Sequence, residues 1–444
     1  MKNYLLKMSV NGVKNIEKKI ELTFYKAVLS KNLIFDNCNV KAIYGANGAG
    51  KTALMYAAEI YKQFVLDKDY IVLNTRNSNL YNLINQKTKK MEIEMTFAVI
   101  DDDNTLNCVY SHIVSFTLDD EKFSINGETL KRLHGYRLND DNKFETIYSV
   151  EKGSLAATDN DCLIDISKNV IADRSIISNA MFQAGQSSDI KNQPIFLDIL
   201  NVFHFAQNLT IVLNGSDKNS IDVHYIAKQI QQLSLYEKQY DPELLNSLLS
   251  KQRLTSSDKI VISKKYFDLF KSDMKNMCKF IQIFKSNLKN IDVSAEEYLD
   301  NFACNINFIY EDNSKIERKY ESTGIKKLMS LYYAFCDIDA GKIVFIDEFD
   351  ANMHDVVLMK LIEYVQNYTP GQLVFTTHNL GPMDILQRSK YSIDFLSNDS
   401  HLVSWTKLGN SPAASVYKRG LIKYSPFNIE SFDFLGVFNN ESNE

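Results

Sequence analysis

Residues Gly45 to Thr52 read Gly-Ala-Asn-Gly-Ala-Gly-Lys-Thr and fit the pattern G-x-x-x-x-G-K-[ST] without a gap. Glycines at 45, 48 and 50 open backbone conformations closed to other residues, so successive N–H groups can curl around phosphate oxygens. Gly45, Asn47, Gly48, Ala49 and Gly50 are therefore the candidate loop contacts to a nucleotide. Lys51 is placed to reach the β- and γ-phosphates and Thr52 to offer its hydroxyl to Mg²⁺, while the helix that follows points its positive end at the same phosphates. ATP and Mg²⁺ are the cofactors this chemistry expects.

Two further segments carry groups that could act on a bound phosphate. The apolar run Ile343-Val344-Phe345-Ile346 is closed by Asp347-Glu348, as expected of a buried parallel strand delivering two carboxylates at its end. Beside a P-loop, Asp347 would hold Mg²⁺ directly or through water, and Glu348 would take a proton from an attacking water. About thirty residues on, Leu373-Val374-Phe375 forms another apolar strand, ending in Thr376-Thr377-His378. A histidine there can hydrogen-bond the γ-phosphate or the attacking water, or merely cap its strand; following the carboxylate strand favours the first. Just upstream, Ser322-Thr323-Gly324 opens a helix, an arrangement that can bind phosphate or serve as a plain N-cap. Since the P-loop already supplies one phosphate site, a second at Ser322 and Gly324 would serve a neighbouring subunit.

The elements that must position these groups are legible around them. Val40 to Tyr44 is the strand feeding the loop, and Leu54, Ala57, Ala58, Tyr61 and Val65 recur at helical spacing, so Thr52 to about Val65 can pack one face on a sheet. Tyr4 to Val10, Ile20 to Phe24, Met91 to Ile100 and Cys108 to Phe116 read as further strands, with Lys122 to Gly127 as a strand and turn. The fold class expected is α/β, with a P-loop unit on a mixed sheet. From about Asp217 to Asn290 the character changes to Lys-, Gln- and Leu-rich helical segments, including a run with Tyr266, Phe267, Phe270, Met274, Met277 and Phe280. Three parts are expected: 1–205, a helical insertion over 206–304, and 305–444.

The chain has 444 residues with 45% hydrophobic and 11% aromatic content, ample for sizeable cores. No run of about 18 apolar residues and no leader-like N-terminus is present, so a cytoplasmic protein without membrane spans is expected. The six cysteines are scattered without a C-x-x-C, which favours reduced thiols over a zinc site or disulfide framework. A net charge of −5 argues against a protein that coats nucleic acid over its whole surface, and composition gives DNA binding no support.

The order of P-loop, S-x-G helix, strand with Asp-Glu and strand with His resembles the ABC-type ATPase heads of the SMC, RecF and OLD-like branch. The passage IDEFDANMHDVVLMKLIEYV followed by LVFTTHNL is similar to bacterial AAA members of that branch, many of them phage-defence ATPases such as AriA of PARIS. The resemblance implies Lys51 and Thr52 for phosphate and Mg²⁺, Ser322 and Gly324 for a partner's γ-phosphate, Asp347 for metal, Glu348 as base, His378 as γ-phosphate sensor, and Asp350 to His354 as the loop between two sites. It further implies heads that associate on ATP, a separate effector or toxin protein under their control, and a viral trigger protein. Because the chain ends soon after these motifs, no Toprim nuclease of the OLD kind is expected within it. A RecF-like DNA-repair clamp is the alternative reading, and a transporter motor a distant third.

Overall fold

The structure is a computed structural model that describes residues 2–33, 38–72, 80–101, 103–119, 122–140, 143–152, 154–157, 174–186, 191–213, 260–264, 267–298, 301–351, 353–405 and 412–422. The N-terminal half gives β1 (Lys2–Asn11), β2 (Ile20–Thr23), β3 (Val40–Gly45), α1 (Lys51–Leu66), β4 (Lys90–Ile100), β5 (Leu106–Asp119), β6 (Lys122–Leu133), β7 (Phe144–Glu151), β8 (Ser154–Ala157), α2 (Ile176–Gln186), α3 (Ile195–Gln207) and β9 (Leu209–Val212). There follow β10 (Ile260–Ser263), α4 (Phe267–Gln282), β11 (Leu288–Tyr298), β12 (Asn301–Tyr310), β13 (Lys315–Glu317), α5 (Thr323–Asp339) and β14 (Ile343–Ile346). The last group is α6 (Asp355–Tyr368), β15 (Gln372–Thr376), α7 (Gly381–Leu386), β16 (Ile393–Leu396), β17 (Leu402–Ser404) and α8 (Ala413–Lys418).

Among the described residues these strands form three sheets. The central one runs β17-β16-β3-β15-β14-β9, parallel except for β17. Its strands are continuous apolar runs because both faces are covered, as expected of a parallel sheet. Ile43, Ile343, Phe345 and Val374 face a core that includes α1, α2 and α3, whereas Val40, Ala42, Val344, Ile346 and Phe375 face a core built with α4, α5 and α6. The loop strand β3 and the acidic strand β14 are separated by β15, so the Asp-Glu pair approaches the loop across one intervening strand.

An antiparallel sheet, β2-β1-β4-β5-β6-β7-β8, covers α1 from the other side. All five residues read as the apolar stripe of this helix are buried: Leu54, Ala57, Ala58, Tyr61 and Val65. The Tyr61 hydroxyl lies 2.9 Å from His112 Nδ1 on β5, and Phe64 packs edge-on to Phe116 with ring centroids 5.1 Å apart. The two sheets are stitched directly as well. Gln372 on β15 accepts from Leu5 N at 2.7 Å and donates to Leu5 O at 3.1 Å, satisfying backbone groups where β1 departs from regular pairing with β4.

Two expectations are corrected by the structure. Gly127 is no turn: β6 continues through it to Leu133, with an irregular register opposite Ser115. A Cβ there would lie 3.0 Å from Val150 O and 3.1 Å from Ser115 Oγ, so glycine marks a close approach of neighbouring strands, not a chain reversal. The helical reading of 206–304 holds at α4, where Phe270, Met274 and Met277 are buried, and fails at both flanks. Leu209–Val212 is a strand paired in parallel with β14, a run too short for periodicity to distinguish from helix. At the other flank, β11 and β12 pair over ten registered residues, and Cys304, Ile306, Phe308 and Tyr310 alternate on the buried face with period two. Of the helical segments read from about Asp217 to Asn290, the part before residue 260 lies outside the described residues.

Candidate functional site

The site forms at the carboxyl ends of β3, β14 and β15, where an open parallel sheet leaves a crevice between its connections. The loop after β3 turns through Gly48 at φ 80° and Gly50 at φ 107°, both in the left-handed region where a Cβ is penalised. A side chain on Gly45 would put its Cβ 2.5 Å from Leu396 O on β16, a contact no rotamer relieves. Asn47 and Gly48 stand exposed at the tip while Ala49 and Gly50 are buried beneath them. α1 then starts on Gly50 with no side chain capping it. Its positive end therefore faces the loop.

Lys51 is buried and folds back over the loop, its Nζ donating to Gly45 O at 2.7 Å and Ala46 O at 3.0 Å. Burial pulls this ammonium below its ordinary pKa, against the opposing pull of Asp347, Glu348 and Asp350. Thr52 Oγ1 donates to Asp347 Oδ1 at 3.3 Å, so the loop hydroxyl and the strand carboxylate read as one pair are in contact. Among the described residues no group of three or more His, Cys, Asp or Glu side chains is placed to hold a metal by itself. The Thr52–Asp347 oxygen pair suits Mg²⁺, a hard ion that keeps waters and takes phosphate oxygens as its remaining ligands.

Two side chains given no role from sequence, Thr376 and Lys327, organise the acidic turn together with Asp350, the first residue of the loop read between two sites. Thr376, at the end of β15, donates its hydroxyl to Asp347 Oδ1 at 2.7 Å and accepts from Glu348 N at 2.8 Å. Lys327 on α5 donates to the carbonyl of Glu348. Asp350 accepts from His378 N through Oδ2 at 3.3 Å, and its buried Oδ1 has no hydrogen-bond partner among the described residues. At the loop itself, Asn15, from the segment after β1, donates its side-chain amide to Gly48 O. The signal for Thr376 was present, since it precedes His378 by two residues at a strand end. Lys327 and Asn15 carried none: each belongs to a two-residue polar pair flanked by apolar residues, and only the fold brings it here.

His378 is exposed, and the desolvation it does undergo, with Lys51 nearby, lowers its imidazole pKa against the pull of Asp350, Glu348 and Asp347. Lys51, Thr52, Asp347, Glu348, Asp350 and His378 thus belong to one cluster. Ser322 and Gly324 occupy the tip of α5 instead. Ser322 is the N-cap, its Oγ accepting from Ile325 N at 3.3 Å, and Gly324 is the second residue of the helix. Glu321, held by the Tyr310 hydroxyl at 2.5 Å, accepts from Ser322 N at 3.2 Å and fixes the approach to the cap.

Residues 187–384 match the family model described as AAA domain, putative AbiEii toxin, Type IV TA system. The matched span contains Ser322, Asp347, Glu348 and His378 and lies downstream of the P-loop. No curated protein matches the chain. Among solved structures, the chain is similar to an Smc head domain with an extended coiled coil, bound to the C-terminal domain of ScpA, derived from Pyrococcus furiosus: 14% identity, 91% of this chain, 96% of that chain, TM-score 0.40. An SmcHead bound to the C-winged helix domain of ScpA gives 16%, 91%, 98% and 0.45. An Smc head domain with a coiled coil and joint derived from Pyrococcus yayanosii gives 13%, 91%, 97% and 0.41. The strand order and the loop geometry of this chain carry the fold assignment themselves: a P-loop NTPase arrangement, with the glycine-rich loop between a parallel strand and a helix, on a mixed α/β architecture.

Proposed function

We propose that the chain is a Mg²⁺-dependent ATPase whose heads associate on ATP and which controls a separate effector in defence against phage. The observation that carries the ATPase reading is the hydrogen-bonded set Thr52, Asp347, Thr376 and Glu348 beside the buried Lys51 at one end of the sheet. Lys51 exchanges its loop carbonyls for the β- and γ-phosphate oxygens, and the Gly48 and Gly50 turn offers its amides to the same charge. Thr52 and Asp347 would hold Mg²⁺, which would supply charge neutralisation to the phosphates. Glu348 accepts the proton of a water as its oxygen bonds to the γ-phosphorus, and the bond to the β–γ bridging oxygen breaks toward ADP. His378 contacts the γ-phosphate from the adjacent strand end. The described residues contain no helix long and apolar enough to cross a membrane.

The defence reading is supported by the family description, which names a putative toxin in a toxin–antitoxin system. Head-to-head association is supported by Ser322, which is exposed at the N-terminal tip of α5 with Gly324 half-buried behind it, so the positive end of the helix is open to a phosphate from outside. Ser322→Arg is expected to abolish turnover and ATP-induced association while leaving single-site nucleotide affinity within about threefold, an effect on turnover of at least tenfold. Mass measurement with and without ATP, beside a nucleotide-binding titration, checks this. Equal loss of affinity and turnover would sink the association reading.

A further inference from the structure

Glu348 is one of eight non-glycine residues among those described with positive φ, at 47°. For a residue other than glycine, asparagine or aspartate this conformation costs about 1–2 kcal/mol and persists only where the surroundings over-determine it. Both ends of its backbone are in fact held. Its N–H is taken by Thr376 Oγ1 at 2.8 Å, and the same hydroxyl donates to Asp347, so one side chain sets two successive acids. Its carbonyl accepts from Ala351 N at 3.1 Å, closing the turn, and also from Lys327 Nζ. Lys327 comes from a different element, as the fifth residue of α5, on its second turn. Lys327 is half-buried beside Asp347, Glu348 and Asp350, and it donates to this carbonyl although Ala351 already closes the turn.

We infer that Lys327 is a positioning residue for Glu348: by holding the carbonyl of this left-handed residue from the second turn of α5, it fixes the direction in which the carboxylate leaves the backbone. This deepens the hydrolytic reading above and rests on it. Thr376 and Lys327 act as the two ends of one clamp, the first anchored in the β-sheet and the second in the helix whose tip carries Ser322. Removing the ammonium leaves Asp347, Thr52 and Lys51 in place, so ground-state contacts to nucleotide persist while the carboxylate loses its aim. A misplacement of about 1 Å at a reacting group costs on the order of a hundredfold in rate.

The test is steady-state ATP hydrolysis by the full chain with Mg²⁺, beside equilibrium binding of a fluorescent ATP analogue, for Lys327→Met, Lys327→Arg, Glu348→Gln and the double variant Lys327→Met/Glu348→Gln. Lys327→Met is expected to lower kcat about ten- to a hundredfold with KM and analogue affinity within about twofold. Lys327→Arg, which keeps a donor and the charge, is expected to recover most of the loss. In the Glu348→Gln background, Lys327→Met is expected to add less than about threefold, because its effect is exerted through that carboxylate. Parent-like kcat in Lys327→Met overturns the inference, as do equal losses in kcat and affinity or full additivity in the double variant. Should Lys327→Met fail to fold, Lys327→Arg against Lys327→Gln decides the same point by its kcat against KM split. A parent protein without ATPase activity, by contrast, defeats the hydrolytic reading itself, which separates the two failures.

Discussion

Glu348→Gln is expected to bind ATP with Mg²⁺ near parent affinity, to accumulate in the associated state, and to hydrolyse about a hundredfold more slowly. The amide keeps the size of the side chain and much of its hydrogen bonding, while removing the group that accepts the proton of the attacking water, a contribution of roughly 10²–10⁴. The backbone of residue 348 should not relax, because its left-handed conformation is held through N–H and C=O by Thr376, Ala351 and Lys327, none of which bonds the substituted atom in those contacts. Single-turnover hydrolysis beside a mass measurement reads both consequences. Turnover at the parent rate would remove Glu348 from the role of base. Lys51→Ala separates binding from chemistry: on the proposed reading Lys51 acts on ground-state phosphates, so its loss is expected to abolish nucleotide binding and turnover together, read by a nucleotide-binding titration.

Lys41→Met is expected to cost about 3–5 kcal/mol of stability, the larger structural effect available near the loop. Lys41 lies on β3, and its Nζ is 2.6 Å from Asp394 Oδ2 on β16, with side chains 2% and 0% exposed. Ser404 on β17 donates to the other carboxylate oxygen at 2.7 Å, so the pair spans three strands. Removing the ammonium strands a carboxylate in the core beside the Ser404 hydroxyl, an uncompensated buried charge. Replacing both partners, as in Lys41→Met/Asp394→Leu, removes the desolvation cost along with the attraction and should recover most of the loss. Denaturant midpoints of the parent, the single and the double variant check this ordering. A double variant no more stable than the single would show that the pair sets the β3–β16 register as well, which at Leu396 opposite Gly45 leaves no room for a Cβ.

The groups proposed to face a nucleotide were legible in sequence because their signals are local. Gly45 to Thr52 needs a strand before it and a helix after it, and both are written in adjacent residues. Asp347-Glu348 and His378 each follow an apolar run whose length and β-branched content already fix a strand end. Ser322 was legible as a cap for the same reason: an N-cap bonds an amide three residues away.

Tertiary structure alone decided how these local pieces meet. The order β3-β15-β14 makes Thr376 the hydroxyl between the loop and the acids, and no spacing along the chain encodes which strand lies in the middle. Lys327 reaches Glu348 across 21 positions and Asn15 reaches Gly48 across 33, from two-residue polar pairs flanked by apolar residues that carry no signal of their own. Leu209–Val212 shows the same limit for the fold. Read as the start of an insertion, it is the edge strand beside β14, with Val212 O accepting from Asp347 N at 2.8 Å, so excising 206–304 would take away a wall of the site. Short apolar runs carry the hydrophobic preference for burial but not the identity of the neighbour that buries them. That identity comes from which sheet edges, helix faces and hydrogen-bonding groups remain open when the rest of the chain has packed.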